Sequence, residues 1–135
     1  MDAMSSINIL AVLVAALTGF VIGGLWYGPL FRTPWMKYSG VTFEMGKKQN
    51  PIVVFGLTYV LNVIAAASLM MFLGPDRTLQ FGIAAGLATG LTFISTALGV
   101  IYLFESRPFK LFLINAGYQV VNFAAMGAVV GVWPK

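Results

Sequence analysis

The 135-residue sequence contains no cysteine and no histidine, and only four of its residues are acidic. The missing cysteines exclude a disulfide framework and a thiol nucleophile, and with histidine also gone nearly every zinc site is excluded. The carboxylates stand far apart, at Asp2, Glu44, Asp76 and Glu105. No two share the short fixed spacing that general acid and base catalysis needs. The sequence therefore reads as a non-enzyme with no catalytic residue, no metal and no cofactor. Charge of any kind is scarce too, at 9% of residues, where a soluble domain carries about 25%. Such a chain cannot cover its outside with polar groups, so lipid must solvate it. The net charge of +4 would suit nucleic acid in a soluble protein. Here the basic residues sit in short loops, leaving no face on which a duplex could lie, and no nucleic-acid partner is expected.

Apolar residues are what the chain has in abundance, 59% of the total. A helix needs about 20 of them to cross a bilayer core. Four stretches are long enough: Ile7 to Tyr27, Ile52 to Leu73, Leu79 to Phe104 and Phe109 to Trp133. The fold expected is all-α, an integral membrane bundle of four transmembrane helices forming one domain over residues 1–135. Pro29 and Pro34 follow the first span, Asn50 and Pro51 open the second, Gly74-Pro75-Asp76 closes it, and Pro108 begins the fourth. A cleaved leader is not expected, because the chain starts Met-Asp-Ala-Met without a basic segment and its first apolar run is long.

Basic residues are retained on the cytoplasmic side of a membrane. Arg32, Lys37, Lys47 and Lys48 lie in the loop 28–51, and Arg107 and Lys110 lie between the last two spans; Arg77 and Lys135 lie on the other side. Both termini are thus expected outside. Trp26, Tyr27, Trp35 and Tyr38 suit an aromatic belt at the inner boundary, and Trp133 suits the outer one. The loop 28–51 reads either as a plain basic connection or as an amphipathic piece on the membrane surface, with Phe31, Trp35, Met36 and Phe43 dipping into lipid.

Helices in lipid associate through close backbone approach, which small residues permit. Gly19 and Gly23 continue the row begun by Ala11 and Ala15, with Gly24 and Gly28 as a second ridge. The third span carries Gly82, Gly86 and Gly90, and the fourth Gly127 and Gly131 beside Ala124 and Ala128. The surplus of such ridges points to a homo-oligomer or a place in a larger membrane complex. A faint internal echo is also present: Gly24, Tyr27 and Arg32 recur as Gly99, Tyr102 and Arg107, which would make a parallel repeat.

Polar residues inside the spans mark where function would lie. Thr58 and Asn62 share a face of the second; Thr89, Thr92 and Thr96 line the third, with Ser95 beside them. Asn115, Tyr118, Gln119 and Asn122 follow one face of the fourth. Asn62 and Asn122 fall about 15 to 20 Å from the inner boundary at ~1.5 Å per residue, close enough in depth to meet. The stripe lines a polar cavity for a small solute, ion or lipid headgroup, or else it holds helices together at about 0.6 kcal/mol per contact. Near the cytoplasmic ends, Glu105 closes a helix where the dipole disfavours its charge. Arg32, Arg107 and Lys110 are its candidate partners, in an ion pair pinning the two basic loops.

The segments "GGLWYGPLF" at Gly23 to Phe31, followed by Trp35, and "YLFESRPFKLFLINAGY" at Tyr102 to Tyr118 resemble a family of small bacterial membrane proteins, domain of unknown function 1761. The resemblance covers nearly the whole chain. It implies four spans and the bacterial inner membrane, supplies no activity, and directs attention to Glu105, Arg107, Asn115 and Tyr118. Two function classes follow: an oligomerising or accessory subunit working through its glycine ridges, or a minimal oligomeric channel or transporter with Asn62, Thr92, Thr96, Asn115 and Asn122 along its path.

Overall fold

The computed structural model describes residues 7–134; the Met-Asp-Ala-Met start and Lys135 lie outside them. Every described element is helical, and four helices are long and apolar enough to cross a membrane: Ile9–Leu30, Pro51–Leu73, Leu79–Phe104 and Phe109–Val132. Side-chain caps begin three of them. Asn8 accepts from the Ala11 amide at 3.1 Å, Asn50 from Ile52 at 2.9 Å, and Thr78 from Phe81 at 3.1 Å. Each satisfies an amide that the first helical turn leaves unpaired. Pro108 precedes the fourth, where no such amide is lost.

The first helix runs past Tyr27 and through Pro29, which the sequence reading had placed beyond its end. Proline has no amide to give, and the chain widens into a π-turn over Trp26–Leu30, closed by the Phe31 amide on the Trp26 carbonyl at 2.8 Å. A second widened segment, Thr89–Ile94, interrupts the third span. There the Ser95 hydroxyl donates to the Gly90 carbonyl, five residues back, at 2.6 Å. The loop 28–51 is not irregular: it forms two short helices, Arg32–Ser39 and Phe43–Lys48, separated by Gly40 at φ 81°.

The fourth span is the hub, touching each of the others, while the third packs almost wholly along it. Glycine makes that last contact possible. A Cβ on Gly82 would fall on the carbonyl oxygen of Gly127, and one on Gly127 would fall on the carbonyl oxygen of Gly82. Gly86 abuts the Phe123 carbonyl, Gly90 would set a Cβ 2.7 Å from the Val120 Cα, and Gly131 abuts the Thr78 carbonyl. The ridges of these two spans therefore meet each other within one chain. Gly24 and Gly28 have nothing within 4 Å of a built Cβ.

The bundle is uneven along its length. Toward the termini, Ala11, Ala15, Ala66, Met70, Met126 and Val130 are fully buried against one another. Toward the basic loops, every residue of Pro51–Thr58 is exposed, so the start of the second span stands away from its neighbours. Arg77 is buried at the packed end, its guanidinium 3.5 and 3.4 Å from the carbonyls of Trp133 and Pro134. A cation there faces the negative end of the fourth helix dipole, a structural role beyond the topology signal read from the sequence.

At the opposite end, the third helix closes with Ser106 at φ 56°, its amide on Leu103 and the Arg107 amide on Tyr102 at 2.9 Å. This is the left-handed helix stop that glycine usually fills. Ser106→Gly removes the Cβ penalty of that conformation and is expected to stabilise the protein by about 1 kcal/mol, read as a higher midpoint in reversible unfolding from mixed micelles. A lower midpoint would show that the serine side chain outweighs the penalty.

Candidate functional site

The polar groups of the spans gather on the loop side of the packed core. Asn122 donates from Nδ2 to Oδ1 of Asn62 at 3.4 Å, joining the fourth and second spans. Gly19 of the first span forms the third wall: a Cβ added to it would collide with Asn122 Oδ1 and lie 3.3 Å from Asn62 Nδ2. One turn nearer the loops, the Tyr118 hydroxyl donates to the Gly19 carbonyl at 3.1 Å, and its ring fills the space above Gly23. A turn further, Asn115 uses both ends of its amide. Its Oδ1 accepts from the Tyr27 hydroxyl at 2.7 Å, and its Nδ2 donates to the Tyr102 hydroxyl at 2.6 Å. One amide thus ties the first span to the third through the fourth.

Two atoms in this cluster lack a hydrogen-bond partner among the described residues: Asn62 Nδ2 and Asn122 Oδ1. Both belong to nearly fully buried residues, 9% and 2% exposed. A buried donor and acceptor left open at bilayer depth are costly, and such groups mark places to look for a ligand or a moving part.

Beside the cluster lies a cavity of about 850 Å³ between the first, second and fourth spans. Tyr27, Asn115 and Tyr118 form one wall, Phe55 and Thr58 of the splayed second span another, and Arg32 and Trp35 its rim. The hydroxyl protons are already committed: Thr58 donates to its own helix at Val54, 2.7 Å away, as do the tyrosines to their partners. What the walls present inward is mainly ring and methyl surface. A second cavity, about 600 Å³ and almost wholly apolar, separates the second and third spans around Ala65, Phe72 and Ala88.

The remaining sequence-proposed residues lie elsewhere. Thr92 and Thr96 are exposed and turned back on their own helix, Thr92 donating to Ala88 at 2.5 Å and Thr96 to Thr92. They do not join the asparagines. Gln119 is half-buried, its carbonyl beside Gly90. Glu105 pairs with Arg107 alone at 3.2 Å, and neither Arg32 nor Lys110 forms an ion pair among the described residues. Arg32 lies over the Phe43 ring at 5.1 Å and Lys110 over Tyr38 at 5.6 Å. The tie between the loops is instead the Arg107 guanidinium donating to the Ser39 carbonyl at 3.1 Å.

Sequence reasoning assigned Tyr27 to a belt and gave Tyr102 no polar role, yet both bind Asn115. The 75-residue echo was the available signal, since it placed these two tyrosines in equivalent positions. Trp26 was likewise missed: its indole donates to the Ile114 carbonyl at 2.9 Å and its ring lies on Gly117.

A family model described as Protein of unknown function (DUF1761) matches residues 10–131. The chain belongs to this family. The matched region takes in Gly19, Asn62, Asn115, Tyr118 and Asn122, so the whole cluster falls inside the family's extent. No curated protein and no solved structure matches the chain. It is a small membrane protein with four long apolar helices. Among the described residues, no group of three or more His, Cys, Asp or Glu side chains could hold a metal ion.

Proposed function

We propose that this protein is a minimal, non-enzymatic carrier of the bacterial inner membrane, which takes a small amphipathic ligand into the cavity from the side of its basic loops. The unevenness of the bundle carries this reading. One half is packed to zero exposure around Ala15, Ala66 and Met126, and the other holds an 850 Å³ cavity with Asn115, Tyr118 and Tyr27 in its wall. Cavities of about 300 to 1,000 Å³ with a few convergent polar groups are the usual form of ligand sites. A cavity confined to the loop half of the bundle and stopped at the packed half suits binding followed by rearrangement better than a standing channel. The excess of Lys and Arg in the basic loops favours a mouth on the cytoplasmic side, with both termini outside.

An oligomerising or accessory subunit is the second reading. The ridges that first suggested it are largely occupied within the chain: Gly82, Gly86, Gly90, Gly127 and Gly131 against each other's helices, Gly19 and Gly23 under Asn122 and Tyr118. What still favours it is the outer face of the third span, where Phe93 and Phe104 are 75% and 88% exposed.

Mass measurement of the chain released from native-detergent micelles separates the two. The carrier reading expects a small adduct retained by the wild type and lost in Gly24→Leu, which fills the cavity from a position with no neighbour within 4 Å. A chain without adduct, held stoichiometrically by other polypeptides, would instead establish the subunit.

A further inference from the structure

The shape of the cavity narrows the class of ligand. From Phe20 at the inner end to Leu30, just before Arg32 at the rim, the first helix rises about 15 Å at ~1.5 Å per residue. That is close to one leaflet of a hydrocarbon core about 30 Å thick. The cavity is also open sideways. Phe55, on its second-span wall, is 57% exposed and meets the Phe20 ring edge to face at 5.9 Å, which closes the inner end; on the loop side of that contact every residue of 51–54 is exposed, leaving a slot between the first and second spans that opens to the bilayer. A ligand can enter along the membrane plane without crossing water.

Its chemistry changes along that length. Inside, the ring faces of Phe20, Tyr27 and Tyr118 offer apolar contact, and the hydroxyls of the two tyrosines are engaged by the protein. At the rim stands one cation, Arg32, just beyond the end of the first span. Glu44 is near in sequence to its aromatic partner Phe43, but no carboxylate forms an ion pair with Arg32 among the described residues. Lys47 and Lys48 follow on the same loop. A guanidinium at headgroup depth matches a phosphate, which it binds through paired N–H donors, and basic groups there attract anionic lipid. A soluble phosphate would meet only the rim and leave the apolar length unfilled.

From this, resting on the reading of the cavity as a ligand site, we infer that its occupant is an anionic phospholipid of the leaflet on the basic-loop side. One acyl chain lies in the slot between the first and second spans, and the phosphate sits on Arg32.

Trp35 lines the rim and Trp26 packs on Tyr118, so tryptophan fluorescence reports the occupant. The full chain carrying Trp133→Phe, which removes the distant tryptophan, is reconstituted in phosphatidylcholine vesicles. A minor fraction of the lipid is phosphatidylglycerol or phosphatidylcholine brominated on its acyl chains. Brominated phosphatidylglycerol is expected to quench with about fivefold higher relative affinity. Arg32→Gln should bring the two lipids to parity, and Gly24→Leu should lower quenching by both. A preference that survives Arg32→Gln overturns the assignment. Equal quenching by both lipids that Gly24→Leu removes overturns the anionic headgroup and leaves the ligand site standing. Quenching indifferent to Gly24→Leu means that no lipid enters, which removes both the assignment and the site.

Discussion

Replacing Gly82 with alanine is expected to weaken the bundle severely, and replacing it with leucine to part the third span from the fourth. In an exposed helix interior, glycine to alanine gains about 0.5 to 1 kcal/mol, because alanine loses less backbone freedom. At Gly82 the sign reverses. The added methyl would fall on the Gly127 carbonyl oxygen and lie 3.1 Å from the Cα of Gly131. These atoms belong to helix backbone, so they cannot rotate aside as a side chain would. The helices must separate, and the contact that forms most of the third span's attachment is lost along its length. Overpacking of this kind costs about 1 to 3 kcal/mol, occasionally more, and leucine lies at the upper end. Reversible unfolding from mixed micelles measures it, with Gly24→Ala as the internal control because Gly24 meets nothing within 4 Å. Gly24→Ala should be neutral or slightly stabilising. If Gly82→Ala unfolds no more readily than Gly24→Ala, the two backbones do not approach as closely as described.

The same contrast explains how far the sequence could be read. Spans were legible because lipid imposes a length and a polarity on every helix that crosses it. Rows of glycine at a spacing of four announced close crossings, though not with which partner. Gly82 and Gly127 find each other within the chain, which left fewer ridges for an oligomer than their number suggested. Polar residues divided by chemistry. An asparagine presents a donor and an acceptor that its own helix does not satisfy, so Asn62, Asn115 and Asn122 were bound to find partners on other helices. A threonine can return its hydroxyl proton to the carbonyl four residues back. Thr92 and Thr96 do so and face outward. A threonine stripe therefore carries less information about the interior than an amide stripe of the same period. The splay of the second span was hidden for another reason. Its first turns are as apolar as its last, and composition cannot distinguish a face turned to lipid from one turned to protein.

Gly19→Ala is expected to be as damaging as the Gly82 substitution and, unlike it, to be repaired by a second change. Its new methyl would collide with Oδ1 of Asn122 and lie 3.3 Å from Nδ2 of Asn62. The obstruction is a side chain rather than backbone, but that side chain is 2% exposed and joined to Asn62, so it has no free volume in which to turn. Asn122→Ala alone should also destabilise, by about 1 to 3 kcal/mol, since it leaves the Asn62 amide buried without its partner. In the double variant the collision is gone, because the two methyl groups replace the oxygen that caused it. The combined loss should then fall short of the sum of the single losses by about 1 to 2 kcal/mol, within the range found for residues in direct contact. Unfolding midpoints of the four proteins give this coupling directly. Strict additivity would mean that Gly19 and Asn122 do not touch. Combined with Asn62→Leu, the cycle also isolates the amide pair itself, for which about 0.6 kcal/mol is typical inside membranes. A coupling well above that would mark the pair as a fixed tie between the second and fourth spans. A value near zero would fit amides free to rearrange.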